Sequence, residues 1–291
     1  MKFSPVIAGC MKWGRWGAGF DTAGYQQIIN TCAVNKITSF DHADIYGDYT
    51  TEEEFGKALV NMPGVRQHVQ LITKCGIKMV GPQRPEHHIK SYDTSKEYII
   101  RCADRSLKNL HTDYLDLFLI HRPDPLMNPH EIAEALTHLK NAGKVLHSGV
   151  SNFTPSQVAM LHALIPVEVN QLEISVTALD PFHNGQLDQC QQLNIRPMAW
   201  APLGGGNLFS DKPDEKTKRI LAAAEELGKK YNISADNILL SFLHTHPAGI
   251  IPVLGTAKSI RLADALKAAG VKLEREDWFR LWEASKGHPV P

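Results

Sequence analysis

The sequence predicts an α/β fold in which eight parallel strands close into a (β/α)8, or TIM, barrel. Apolar strand-like runs recur eight times along the 291 residues, and segments with helical periodicity separate them. Several runs end abruptly in polar residues, most clearly Leu115–His121, which is followed by Arg-Pro-Asp. Because the C-terminal ends of all barrel strands share one face, polar residues at these ends would meet there and form an active site.

Eight runs are expected to form the barrel strands, and a doubly wound sheet is the competing fold. That sheet's usual dinucleotide fingerprint, GxGxxG after the first strand, is absent. The predicted strands are Pro5–Gly9, Thr38–Asp41, Val69–Lys74, Leu115–His121, Val145–Ser151, Val167–Gln171, Arg196–Trp200 and Gly249–Val253.

Eight helices are expected between and after these strands. Start signals such as Asn128-Pro129 and Thr154-Pro155 support them. The predicted helices are Thr22–Asn35, Thr51–Asn61, Ser95–Leu110, Pro129–Ala142, Pro155–Leu164, Gly185–Leu193, Pro213–Lys230 and Lys258–Ala268.

Two segments are expected to add to the plain barrel. Residues 77–93 are rich in proline and polar residues and follow the third strand, where a substrate-covering loop would lie. In this loop His87 and His88 are expected to be exposed. Residues 273–291 carry Trp278, Phe279 and Trp282 at helical spacing, which predicts an extra C-terminal helix whose aromatic rings pack on the barrel. Residues 1–291 are interpreted as one domain.

Composition narrows the class of protein. The chain is 43% hydrophobic and 21% charged, and 31 basic residues balance 31 acidic ones, so its net charge favours neither nucleic acid nor an anionic membrane as a partner. No apolar stretch approaches the roughly 20 residues of a membrane-spanning helix. A cytoplasmic monomer or weak homo-oligomer is expected. The five scattered cysteines argue against a disulfide framework or a structural zinc site, and Cys75 is expected to be a packed bystander.

Four polar residues at strand ends form a chemically coherent set: Asp41, Tyr46, Lys74 and His121. A free phenol has a pKa of about 10. A nearby Lys74 ammonium is expected to lower the pKa of Tyr46, while Asp41 pairs with Lys74. His121 can donate a hydrogen bond to a carbonyl oxygen. The set suits protonation of a developing alkoxide, which is half of a carbonyl reduction and requires a hydride donor.

The remaining strand ends suit a nicotinamide nucleotide. Amide and hydroxyl groups at 151–153 and 170–173 suit a carboxamide. Trp200 offers a flat face for ring stacking, and Ala201–Gly206 leaves backbone amides open to a pyrophosphate. Gly255–Arg261 combines hydroxyls, a helix N-terminus and two cations, which suits a phosphate.

At these residues the sequence resembles the aldo-keto reductase family, from about Pro5 to Ala268. The motifs FDHADIYG, LITKCG, LFLIHRPD, GVSNF, NQLEIS and AWAPLGGG follow the family's order. The resemblance implies NAD(P)H-dependent reduction of small-molecule aldehydes or ketones on a TIM barrel, with Tyr46 as the acid and Lys74, His121 and Asp41 as its partners. It looks closest to a bacterial branch of poorly assigned oxidoreductases.

The resemblance also implies the cofactor contacts, with NADPH favoured over NADH. These contacts are Gly9, Cys10, Met11, Ser151, Asn152, Gln171, Trp200, Ala201, Pro202, Leu203, Gly255, Thr256, Lys258 and Arg261. Three features depart from the family pattern. An N-terminal hairpin that closes the barrel bottom is missing or replaced, Ala265 stands where an Asn is common near the adenine, and Gly255 stands where a Lys is common.

Specificity is expected to reside in the loops Gly76–Asp93, Pro123–Met127 and Asn207–Lys212. Five large side chains are candidates for an apolar substrate pocket, and Trp13, Tyr49 and Met79 are the assigned ones; the other two are Trp16 and Phe153.

Three alternatives remain open. The Asp and His residues of this face could ligate a metal, although a lysine among them would repel the cation, and no metal site is assigned. Lys74 could form a Schiff base, as in an aldolase. The chain could instead be a slow-turnover nucleotide-binding sensor or accessory subunit.

Overall fold

Eight parallel strands close into a barrel in the computed structural model, which describes residues 2–210 and 212–291. Each strand pairs with its neighbours in the chain, and the last pairs with the first, so the predicted TIM barrel is confirmed. The strands are β1 Ile7–Gly9, β2 Ser39–Asp41, β3 Gln70–Cys75, β4 Leu115–Ile120, β5 Val145–Ser151, β6 Val169–Glu173, β7 Arg196–Trp200 and β8 Ile251–Leu254. Met1 and Asp211, which is part of the predicted loop 207–212, lie outside the described residues.

Helices cover the outside of the barrel, and the predicted start signals operate. The Asn128 side chain accepts a hydrogen bond from the His130 amide at 3.1 Å, and Thr154 forms a capping box with Gln157. The helices are α1 Thr22–Val34, α2 Thr51–Val60, α3 Lys96–Asn109, α4 Pro129–Asn141, α5 Pro155–His162, α6 Gln186–Gln192, α7 Glu215–Tyr231, α8 Ala235–His244, α9 Ser259–Ala269 and α10 Arg275–Lys286. None of the described helices is long and apolar enough to cross a membrane.

Helix α8 was not predicted, so the expectation of one helix between β7 and β8 was wrong. All seven residues from Asn237 to Leu243 are buried. A helix that is buried on all sides lacks the alternation of apolar and polar faces that reveals a surface helix. Asn237 and Ser241 recur at helical spacing but are buried, so they do not mark an exposed face.

The predicted C-terminal helix is α10. Trp278 packs on Phe242 of α8, and Trp282 packs on Phe182 and His183, rather than on the barrel strands. Trp278 Nε1 donates to the Phe242 carbonyl oxygen at 2.9 Å, and the two rings stack with centroids 4.5 Å apart. The Trp282 ring lies 5.3 Å from that of Trp278. The helix thus covers an outer layer of helices.

The barrel interior is filled by an apolar cluster contributed by seven strand residues. Phe3 packs against this cluster from the segment preceding β1. The cluster consists of Ile7, Ile72, Leu117, Leu119, Val169, Met198 and Val253. Phe3 thus extends the apolar interior of the barrel into the segment before β1.

The loop after β3 is more ordered than its composition suggests. Ile77–Lys78 and Ser91–Tyr92 form a small antiparallel hairpin. His88 is exposed as expected, but His87 is buried, and its Nδ1 lies 3.0 Å from the Met79 carbonyl oxygen. The expectation of an exposed His87 was wrong because the loop folds back over this side chain.

Candidate active site

The four predicted catalytic residues lie together at the C-terminal face of the barrel. Asp41 ends β2, Tyr46 lies in the following loop, Lys74 lies near the end of β3, and His121 follows β4. All four are buried; Tyr46 is 9% exposed and Lys74 is fully buried. Three neighbouring strands thus supply the set.

Lys74 is the centre of this group. Its Nζ donates to Asp41 Oδ2 at 2.8 Å, to the His42 carbonyl oxygen at 2.7 Å and to the Tyr46 hydroxyl at 3.2 Å. An ammonium has three donors, and all three are used. The arrangement aims the positive charge at the Tyr46 oxygen.

Burial and ion pairing act in opposite directions on these groups. Burial is the largest single effect on the pKa of Lys74 and lowers it, but Asp41 and Tyr46 together outweigh burial, so the pKa is raised and the ammonium persists at neutral pH. Burial raises the pKa of Tyr46 and outweighs the opposing effect of Lys74. The expected lowering of the Tyr46 pKa was therefore wrong in its net direction. Tyr46 remains a protonated phenol at neutral pH.

The Lys74 environment opposes the Schiff-base alternative. An amine nucleophile must be unprotonated and accessible to the substrate carbonyl, whereas Lys74 is protonated and fully buried. Its three hydrogen bonds would also have to break. No group of three or more potential metal ligands is found among the described His, Cys, Asp and Glu side chains.

His121 presents a neutral imidazole to the Tyr46 ring. The two rings meet edge to face with centroids 6.1 Å apart. Burial, followed by the charges of Lys74 and Arg122, lowers the pKa of His121 well below its ordinary value. A neutral imidazole retains one N–H donor, so it can orient a carbonyl oxygen without adding charge.

Tyr46 is followed by an unusual turn. Gly47, Asp48 and Tyr49 all have left-handed backbone angles, with φ of 59°, 54° and 68°. At Gly47 a Cβ atom would lie 2.5 Å from Thr51 Oγ1, so only glycine fits. Asp48 Oδ1 accepts from Trp16 Nε1 at 3.1 Å, which holds the Trp16 ring 6.2 Å from that of Tyr46.

The predicted cofactor residues lie on the other side of the barrel mouth. The catalytic residues belong to β2, β3 and β4, whereas the predicted cofactor contacts follow β5, β6, β7, β8 and β1. These five strands are consecutive in the closed barrel. We call the two sets the catalytic arc and the nucleotide arc.

Side chains of the nucleotide arc are linked by hydrogen bonds. Trp200 Nε1 donates to Asn152 Oδ1 at 3.0 Å, and Asn152 Nδ2 donates to Ser151 Oγ at 2.8 Å. Gln171 Nε2 donates to Asp41 Oδ1 at 2.9 Å, which leaves the Gln171 amide oxygen available to a carboxamide. Ser151, Asn152 and Gln171 are thus held by neighbours.

The loops after β7 and β8 fit a dinucleotide. Gly204, Gly205 and Gly206 have positive φ, which opens the backbone after Trp200. A Cβ at Gly255 would meet nothing within 4 Å. The Lys258 amide donates to Thr256 Oγ1 at 3.1 Å before α9, whose first turn carries the exposed Arg261. Open backbone, a helix N-terminus and two exposed cations suit phosphate groups.

The first strand contributes its backbone, rather than a cysteine side chain, to the nucleotide arc. The Cys10 thiol is fully buried and donates to the Ala8 carbonyl oxygen at 3.6 Å. Gly9 is also buried, whereas Met11 is 37% exposed. The expected contact through Cys10 is therefore restricted to its backbone. Cys75 is fully buried, and burial raises its pKa, as a packed bystander requires.

A family model described as "Aldo/keto reductase family" matches residues 5–286. The chain belongs to the aldo/keto reductase family. It is 43% identical over 294 residues to the uncharacterized oxidoreductase YcsN of Bacillus subtilis (strain 168), covering 100% of this chain and 97% of that protein. A 6-dehydroglucose reductase of Agrobacterium fabrum is 39% identical, with 96% and 94% covered.

A solved structure supports the same assignment. A thermostable aldo-keto reductase in complex with the inhibitor epalrestat matches with a TM-score of 0.80 and 26% identity, covering 97% of this chain and 95% of that one. Membership of this family makes the protein an oxidoreductase, in a family that reduces carbonyl groups and generally uses nicotinamide cofactors.

Two of the three assigned pocket residues lie close to Tyr46. Tyr49 and Met79 belong to one apolar cluster with Tyr46, and the Met79 amide donates to the Tyr49 hydroxyl at 2.8 Å. Trp13 instead lies fully buried among the rings of Phe20, Tyr25, Phe40 and Phe55. The assignment of Trp13 to a substrate pocket was wrong because it belongs to the core.

Trp13 nevertheless supports the nucleotide arc. Its Nε1 donates to the Thr256 carbonyl oxygen at 3.0 Å, which anchors the loop after β8. Phe153, the other unassigned candidate, is fully buried as well. Trp16, which was not assigned to the pocket, instead has its ring beside that of Tyr46, as was expected of Trp13.

Sequence reasoning missed Arg122 and the His42 carbonyl oxygen. Arg122 directly follows His121 at a strand end, and that position was a signal available in the sequence. The His42 carbonyl, which accepts from Lys74, is a backbone group with no sequence signal.

Proposed function

We propose that the protein is an NAD(P)H-dependent reductase that converts aldehydes or ketones to alcohols. The observation that carries the proposal is the Lys74 ammonium, which bonds to both the Asp41 carboxylate and the Tyr46 hydroxyl. This geometry stabilises negative charge on the Tyr46 oxygen as its proton leaves. Carbonyl reduction requires such a proton donor in addition to a hydride donor.

The residues would act in a simple order. His121 donates a hydrogen bond to the substrate carbonyl oxygen and sets its position near the Tyr46 hydroxyl. As negative charge develops on that oxygen, Tyr46 transfers its proton to it. Lys74 stabilises the resulting phenolate, while Asp41 and the His42 carbonyl keep Lys74 oriented. Solvent then returns a proton to Tyr46.

A bound nicotinamide nucleotide would supply the hydride. Ser151, Asn152 and Gln171 would bind its carboxamide, and Trp200 would stack on the ring. Thr256, Lys258 and Arg261 would bind phosphate at the N-terminus of α9. Because Lys258 and Arg261 are exposed cations on this loop and helix, the proposal favours NADPH, which carries a 2′-phosphate.

The name of a relative supports a carbonyl substrate. A 6-dehydroglucose reductase of Agrobacterium fabrum is 39% identical over 284 residues. The further proposals are a small-molecule substrate without nucleic-acid or membrane partners, a cytoplasmic location, one domain, and a monomer or weak homo-oligomer. Specificity would depend on the hairpin loop 76–93 and loop 123–127.

The test is titration of the intrinsic tryptophan fluorescence with NADPH and NADH separately, followed by a panel of reactive aldehydes and diketones in the same cuvette. Trp200→Phe serves as the paired variant, because Trp200 is expected to contact the ring. We expect saturable quenching that weakens in the variant, and loss of nicotinamide absorbance on addition of a carbonyl. Binding without oxidation would favour the sensor alternative, and no binding would refute the cofactor proposal.

A further inference from the structure

Arg122 lies between the catalytic arc and the nucleotide arc. Its Nη1 donates to the His121 carbonyl oxygen at 3.1 Å and to Ser151 Oγ at 3.3 Å. Its guanidinium carbon lies 5.6 Å from the centre of the Trp200 ring. The side chain therefore extends from the end of β4 across the barrel mouth toward β7.

This guanidinium is half-buried, and its two hydrogen-bond acceptors are neutral. Arg66 provides a contrast, because its guanidinium pairs with the Asp116 carboxylate at 2.9 Å at the opposite end of β4. Within the described part of the chain no carboxylate lies within ion-pair distance of Arg122, and the Glu173 carboxylate acts on it only from farther away. A partly desolvated cation that bonds no carboxylate directly is costly, and such a cation in an active-site mouth is suited to an anionic ligand.

The anion could belong to the cofactor or to the substrate. The groups suited to cofactor phosphates follow β7 and β8, whereas Arg122 directly follows His121, which is expected to hold the reacting carbonyl. The Trp200 ring and Ser151, which Arg122 also contacts, are suited to the uncharged nicotinamide end. The position of Arg122 thus favours the substrate.

We infer that Arg122 is a specificity-determining residue that binds a carboxylate of the carbonyl substrate. The preferred substrates are then aldehydes or ketones that also carry a carboxylate. A guanidinium binds a carboxylate through paired N–H donors and fixes its orientation, which an ammonium cannot do equally well. This inference rests on the proposed reductase function and names its substrate class.

The test compares succinic semialdehyde with butanal, which has the same chain length but lacks the carboxylate. Steady-state kinetics are measured for the native enzyme and for Arg122→Met, which retains side-chain length but removes the charge. Arg101→Met is the matched control, because its guanidinium also lies over an aromatic ring, 5.2 Å from the centre of Tyr98, but on helix α3. Fluorescence titration gives the NADPH dissociation constant of each protein.

We expect the native enzyme to prefer succinic semialdehyde at least tenfold in kcat/KM. Arg122→Met should abolish this preference, mainly through a higher KM for the acid, and should change the NADPH dissociation constant less than twofold. Arg101→Met should retain the preference. Partial recovery of the preference for succinic semialdehyde in Arg122→Lys would support a contribution of positive charge to that preference.

Three results would overturn the inference. They are equal losses of kcat/KM for both aldehydes, a weakened NADPH affinity in Arg122→Met, and a native preference for the neutral hydroxyaldehyde glyceraldehyde that is lost in Arg122→Met. If the native enzyme binds NADPH but reduces none of these carbonyls or the wider panel, the proposed function fails instead. The two failures are therefore distinguishable.

Discussion

The Gln171 side-chain amide donates to Asp41 Oδ1 at 2.9 Å. A residue of β6 therefore positions the carboxylate that pairs with Lys74. Asp41 thus receives one donor at each oxygen, and each donor comes from a different arc. This bond links the predicted carboxamide site directly to the charge that supports Tyr46. Gln171 therefore has a second role that its position in the sequence did not reveal.

Replacing Gln171 with leucine should lower the free energy of unfolding by about 1–3 kcal/mol, because Asp41 Oδ1 would remain buried without this donor. Urea unfolding at pH 7 measures the change. Gln189→Leu is the control, since it removes a hydrogen bond to the neutral Pro155 carbonyl on the outer helices. Gln189→Leu should lower the free energy of unfolding by less than Gln171→Leu does. Equal decreases would show that the bond to the Asp41 carboxylate stabilises the protein no more than a bond to a neutral carbonyl.

Replacing Tyr46 with phenylalanine should lower kcat/KM for aldehydes by about 10²–10⁴, because only the proton donor is removed. The NADPH dissociation constant should change less than twofold. Tyr114→Phe is the matched control, because Tyr114 lies just before β4 at the opposite end of the barrel, under the Arg66 guanidinium. Unchanged turnover in Tyr46→Phe would refute the role assigned to this residue.

The pH dependence of the native enzyme should be flat from about pH 7 to 9, given the ordinary pKa values of these groups. The pKa values of Lys74 and Tyr46 are raised and that of His121 is lowered, so none of the three titrates in this window. In Asp41→Asn, the largest interaction that opposes the effect of burial on Lys74 is lost, so the Lys74 pKa falls. The rate of this variant should then decline as the pH rises, and parallel profiles for the two proteins would contradict the assigned ion pair.

Replacing Arg261 with alanine should weaken NADPH binding about tenfold, while NADH binding should change little. The physical reason is the loss of a guanidinium beside the expected 2′-phosphate. Lys267→Ala removes a cation from the last turn of the same helix and serves as the control. Equal effects of Arg261→Ala on both nucleotides would mean that this side chain does not discriminate between them.

Stability should fall below pH 6.5, partly because of His244. Burial lowers its pKa to about 4, and within the described residues its Nε2 is buried without a hydrogen-bond partner. Its contribution is fully present above pH 6.5 and is lost as the pH falls toward 4, because the unfolded chain binds a proton that the folded chain does not. His244→Leu should reduce the pH slope of the unfolding free energy by about 1.4 kcal/mol per pH unit there. Unfolding curves at pH 4 to 7 measure it, and identical slopes would rule out this contribution.

Much of the fold was predictable because strand ends, helix caps and periodicity are local signals. The pairing of Thr154 with Gln157 and the polar residue after β4 could be read directly from the sequence. Helix α8 was missed, since Asn237 to Leu243 are all buried and mark no exposed polar face. The burial of Trp13 was equally hidden, because an aromatic residue near a strand end suits either a core or a pocket.

Within the site, the residue types predicted which groups would lie together. They did not predict whether burial or the neighbouring charges would decide the direction of each pKa shift. Proximity of Lys74 to Tyr46 predicted a lower tyrosine pKa, whereas the actual direction depends on the depth of burial. Likewise, the lack of a carboxylate bonded directly to Arg122 among the described residues is a property of the assembled barrel mouth. Such quantities arise from surroundings that are distant in sequence.

The separation of the two arcs has a consequence for how this enzyme can diversify. Under the proposed function, substitutions in the loops after β7 and β8 would change nucleotide preference while the bonds among Asp41, Lys74 and Tyr46 remain intact. Under the same proposal, substitutions in the hairpin loop would alter the accepted substrate without touching these bonds. New specificities could therefore arise through single substitutions, without an intermediate variant that lacks the catalytic residues.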